Sequence, residues 1–130
     1  MNRDHEFEFV TTEAVVVAYE SSAPIFQGIL SEVRELSKKK PEATMSASKV
    51  RVINRVLSDL LVFLKTEPSG KYLDLLDDEA LPQMSDAVLA MVQFETALKS
   101  FKARYRQYDK RLKDSVWITT EFLENFTNEG

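Results

Sequence analysis

The chain has 130 residues, 44% of them hydrophobic and 29% charged, and a formal net charge of −4. That length suits one domain able to bury roughly two-thirds of the surface its unfolded form exposes, and the mixture excludes a disordered polymer poor in aliphatic residues. Cysteine is absent, which removes disulfides, thiolate metal sites and cysteine nucleophiles and makes a cytoplasmic protein the expectation.

Three glycines and four prolines are too few for the repeated turns of a sandwich or barrel. The expected fold is all-α: three long amphipathic helices plus one or two short ones in an up-down bundle, with residues 1–130 as a single domain. The opening Met-Asn-Arg-Asp-His-Glu lacks the apolar stretch of a signal peptide, and no run reaches the length of a membrane span. No membrane contact is expected, and Asn125-Phe126-Thr127 is then a chance glycosylation sequon. Residues 1–11 are expected to be mobile or to form a short strand, because Glu6-Phe7-Glu8-Phe9 alternates. Val15-Val16-Val17 is its conceivable partner.

The first helical pattern is Val15, Tyr19, Ser22, Phe26, Ile29, Val33 and Leu36, in steps of four and three. Pro24 interrupts it. Either one long helix continues through the proline with a kink, or Ser22 caps a new helix with Pro24 in its first turn; the unbroken register favours the kinked helix. Lys38-Lys39-Lys40-Pro41 suits its end, since cations favour a helix C-terminus and proline prevents continuation. Residues 41–46 then form a loop.

The second helix is expected from about residue 47 to residue 66. Val50, Ile53, Leu57, Leu60 and Leu64 make one stripe, which Val52, Val56 and Phe63 widen. Ser46 or Ser48 caps it, and Pro68 stops it. Tyr72, Leu73, Leu75 and Leu76 then suggest a short helix ahead of the acidic run Asp77-Asp78-Glu79.

The strongest periodicity runs through Met84, Ala87, Met91, Phe94, Leu98, Phe101, Tyr105, Tyr108 and Leu112. It predicts a third helix from about Asp86, capped by Ser85, to Leu112. Such a helix is about 40 Å long, more than a domain this small can cover, so part of it projects. Its seam is either the interior of a monomer or the contact face of a dimer; the spacing alone favours neither. Val116-Trp117-Ile118-Thr119-Thr120 suits a strand as well as a helix. With Phe122, Leu123 and Phe126 following, a C-terminal helix is expected.

The chemistry open to these residues is narrow. Histidine occurs once, at His5, so no Ser-His-Asp triad, helical zinc site or di-iron bundle can be assembled. No glycine-rich phosphate loop is present. Asp74, Asp77, Asp78 and Glu79 could share a helix face and hold magnesium. Their spacing is similar to the aspartate-rich motif of prenyl-transferring helical enzymes, but that motif comes in pairs inside a larger cavity. This chain has neither second copy nor size, and a solvated acidic corner is expected instead, with no metal, no cofactor and no catalytic residue.

Charge is unevenly spread. Residues 99–114 hold seven basic and two acidic side chains, a local +5, which leaves −9 on the rest of a chain whose total is −4. On a continuous helix Lys99, Lys102, Arg106, Lys110 and Lys113 form one stripe beside the apolar seam. The expected function is a non-enzymatic protein–protein interaction module, an adaptor, regulatory or neutralising subunit acting as a homodimer or with a protein partner. The basic stripe and the acidic patch Asp74, Asp77, Asp78 and Glu79 are its charged contacts, and Phe101, Tyr105, Tyr108 and Trp117 its apolar ones. The alternative is a nucleic-acid binder using the stripe over residues 99–113, with interleaved aromatics stacking on bases. The acidic remainder opposes that reading, because it repels a polyanion.

Overall fold

The structure, a computed structural model, describes residues 7–129, with side chains up to Asn125. Among these residues the protein is mostly helical, with four α-helices and a small two-stranded sheet, and so is not purely all-α. The elements are α1 (Glu13–Lys39), α2 (Ala47–Leu64), a 3-10 turn (Pro68–Gly70), α3 (Met84–Tyr105), β1 (Arg106–Asp109), β2 (Asp114–Trp117) and α4 (Thr120–Glu129).

The first two helices follow the sequence closely. Thr12 caps α1 by accepting the Val15 N–H at 3.3 Å, and the helix runs unbroken with Pro24 inside it. A second cap comes from far along the chain: the Glu121 carboxylate accepts the Glu13 N–H at 3.1 Å. The neighbouring Thr120 hydroxyl first, and then that bond, hold the Glu121 carboxyl below its ordinary pKa. Ser46 caps α2 through the Lys49 N–H. Helix α2 buries Val50, Ile53, Leu57, Leu60 and Leu64 against Phe26, Leu30 and Val33 of α1 and the seam of α3.

Three expectations are corrected. The short helix around Tyr72–Leu76 is absent. After the 3-10 turn the chain instead runs irregularly to α3, with Leu73 and Leu76 buried. Asn54 of α2 holds it there: its amide donates to the Leu76 carbonyl and accepts the Leu76 N–H, both at 2.9 Å. These bonds satisfy the two backbone groups of Leu76 that a helix would have satisfied internally. Gly70 makes the tight passage possible, since a Cβ there would lie 1.8 Å from the Leu64 carbonyl oxygen.

The start of α3 is also different. Ser85 does not cap it; Gln83 holds the cap position without a side-chain bond. The loop after α1 supplies the acceptors instead. The carbonyl of Ala43 takes the Met84 N–H at 2.9 Å and that of Pro41 takes the Ser85 N–H at 3.0 Å, beside a bridge between Thr44 and Gln83.

The third correction is the largest. Helix α3 stops at Tyr105, and residues 106–117 form an antiparallel hairpin pairing Arg106 with Trp117 and Asp109 with Asp114. Three bonds mark the stop. The Gln107 side-chain amide donates to the carbonyls of Ala103 (3.1 Å) and Arg104 (2.9 Å), which the helix end leaves open, and the Tyr105 carbonyl accepts the Ile118 N–H at 2.8 Å. Both readings of the carboxyl end are thus realised in succession, strand and then helix. The N-terminal segment docks beside it, Thr11 bridging Thr119 in parallel, so its partner is this segment and not residues 15–17, which are helical. The strand expectation for Glu6 lies outside the described residues.

Candidate functional site

The sequence-predicted basic residues are divided by the end of α3. Lys99 and Lys102 stand exposed on its last two turns. Arg106 opens β1, where its guanidinium lies 5.5 Å from the Trp117 ring centroid, within cation–π range. Together with Ala103 and Ser115 these three line one open concavity of about 520 Å³. Lys110 and Lys113 sit at the hairpin tip, exposed, with Lys113 in the left-handed region at φ 54°. Among the described residues none of the five forms an ion pair with a carboxylate. The continuous helical stripe over residues 99–113 is therefore replaced by a three-membered basic concavity and a two-membered basic tip. Arg104, inside the same charge block, turns the other way and stacks 3.8 Å from the Phe9 ring centroid.

Of the apolar candidates, Phe101 and Tyr105 lie in the chain's own core. Trp117 is half-buried, its ring 5.1 Å from that of Tyr19 and 6.0 Å from that of Phe101. The Tyr105 hydroxyl donates to Glu67 at 2.8 Å, and burial first, then that bond, pushes its pKa up to about 12. Tyr108 alone faces solvent.

Asp74, Asp77, Asp78 and Glu79 are all exposed in the irregular segment before α3. The Asp77 carboxylate accepts the N–H groups of Glu79 (2.8 Å) and Ala80 (2.9 Å), which holds it below the usual carboxylate range. Among the described residues no group of three or more His, Cys, Asp or Glu is placed to hold a metal ion. The acidic residues precede α3 in the chain, in the segment that Leu76 ties to Asn54 of α2, whereas the basic concavity lies at the end of α3.

One surface was missed by sequence reasoning. Gly28, Ile29, Glu32, Val33 and Leu36 of α1 face Ser48, Lys49, Val52 and Ile53 of α2 across an open apolar groove of about 390 Å³. The signal was legible: Val52 and Val56 widen the α2 stripe beyond what one helix contact uses. Among the described residues no helix is long and apolar enough to cross a membrane. Comparison with known proteins adds no relative: no family model matches the chain, and neither a curated protein nor a solved structure shows significant similarity to it.

Proposed function

We propose that this chain is a non-enzymatic protein–protein interaction module, an adaptor, regulatory or neutralising subunit built on a bundle of three long helices, acting in the cytoplasm with a protein partner or a second copy. The observation that carries the reading is the basic end. Lys99, Lys102 and Arg106 converge on one concavity, none of them paired to a carboxylate among the described residues, beside a hairpin tip bearing Lys110 and Lys113. An acidic protein segment supplies the missing counter-charge, and the concentration of positive charge at one end orients its approach. The single histidine supports a role without catalysis.

The exposed ring of Tyr108 beside these cations favours nucleic acid as the second reading, because base stacking on an exposed aromatic is sequence-tolerant. Fluorescence anisotropy with a labelled poly-glutamate peptide and a labelled single-stranded DNA separates the two. The peptide is expected to bind, and the triple variant Lys102→Glu, Arg106→Glu, Lys110→Glu to weaken it by about tenfold or more. Unchanged peptide affinity in that variant refutes the basic end as the contact. DNA binding tighter than peptide binding, lost in the same variant, replaces the first reading with the second.

A further inference from the structure

The groove between α1 and α2 contains a residue that the isolated chain does not explain. Gly28 sits in the middle of a 27-residue helix, where glycine is among the poorest helix formers. Gly70 is needed sterically; Gly28 is not, because a Cβ at position 28 would meet nothing within 4 Å. Around it the surface is apolar. Ile25 is 57% exposed and Val52 is 48% exposed, and Ile29 and Leu36 are only half-covered. A glycine facing open space on an apolar helix face lets another backbone approach closely.

We infer that a second copy of this chain covers the groove, in a twofold dimer whose axis runs along it. The charges on the walls select that occupant. Glu32 lines the groove from α1 and Lys49 from α2. A twofold along the groove lays α1 of each copy over α2 of the other, so each Glu32 meets the partner's Lys49 and each Lys49 the partner's Glu32. Two opposite charges on facing walls are what an isologous contact requires of a self-complementary patch. The contact is small: the lining from Gly28 to Leu36 spans about 12 Å of helix, which across two helix widths gives about 250 Å² per copy and about 500 Å² in total, below the size of ordinary specific interfaces. The dimer is consequently reversible. The inference rests on the association reading but uses a face remote from the basic end.

Sedimentation equilibrium of the full chain at loading concentrations up to about 1 mM tests it. Wild type is expected to shift from monomer to dimer with concentration. Val52→Asp raises the dissociation constant by about tenfold or more. Glu32→Lys or Lys49→Glu alone raises it by about threefold, and the double swap restores it. Gly28→Arg raises the monomer's melting temperature through better helix propensity while weakening the dimer, opposing effects that general unfolding cannot produce. Monomer at every concentration, a dimer indifferent to Val52→Asp, or a double swap no better than the single changes overturns the inference. Poly-glutamate binding at the basic end stays unchanged in Val52→Asp, so failure here is distinguishable from failure of the basic-end reading.

Discussion

Phe101 and Tyr105, at the end of α3, are shut inside the protein, whereas Tyr108 and Leu112, the next two residues in the same three-and-four spacing, stand on the hairpin 60% and 49% exposed. The two regions share a pattern and differ in what can cover them. Phe101 is enclosed by Tyr19, Phe63, Tyr105 and Trp117, with ring centroids 4.8 to 6.0 Å away. A helix continued past Tyr105 would carry Tyr108 and Leu112 beyond the ends of α1 and α2. Folding back instead returns Trp117 to the aromatic cluster and buries Ile118, and that burial outweighs the helical bonds forgone. Periodicity therefore reports a competent face; it does not report whether the rest of the chain reaches that far.

The contrast breaks most visibly on truncation. Phe101→Ala is expected to cost about 4 kcal/mol and Leu112→Ala less than about 0.5 kcal/mol in urea unfolding, since only the first leaves a cavity. Equal losses would mean that the hairpin region is packed as α3 is.

Alkaline pH tests the buried end more gently. Tyr105 has its folded pKa raised from 10.0 to about 12 by burial and by Glu67. A raised value means the folded state holds the proton more tightly, so the contribution is complete below pH 10 and is lost as pH rises toward about 12. Its size is roughly 2 kcal/mol. Stability measured from pH 9 to about 12 falls more steeply in wild type than in Tyr105→Phe; parallel curves would contradict the assignment.

The smallest effect carries a sign. Lys113 holds φ 54° in the hairpin turn. Lys113→Gly is expected to stabilise the protein by about 0.5 kcal/mol, because relief of the left-handed backbone exceeds the freedom added to the unfolded chain. In a helix interior the same change would cost about 1 kcal/mol. Thermal unfolding of this one variant thus separates hairpin from helix.

For the candidate site, the sequence revealed which residues are basic and that their charge is concentrated, but their grouping was legible only in part. Lys99, Lys102 and Arg106 come together because β1 leaves α3 immediately after Tyr105, and Ser115 joins them from β2. Nothing local announces that geometry. The groove along Gly28 is readable in outline, as an apolar stripe broader than one neighbour needs, but breadth alone does not distinguish a central helix from one with an open flank.

What the amino-acid sequence by itself determined is the course of α1 and α2 and the helical character of residues 84–105. Their signals are local: apolar spacing, the Ser46 cap of α2, and prolines at 41 and 68 that prevent continuation. Tertiary structure alone decided where α3 ends, how it is capped and what becomes of residues 71–83. In each case a backbone group is satisfied by a residue distant in the chain: Ile118 for the Tyr105 carbonyl, Ala43 for the Met84 amide and Asn54 for Leu76. Local propensity cannot anticipate such partners, because they exist only once the core has brought them within a hydrogen bond's reach.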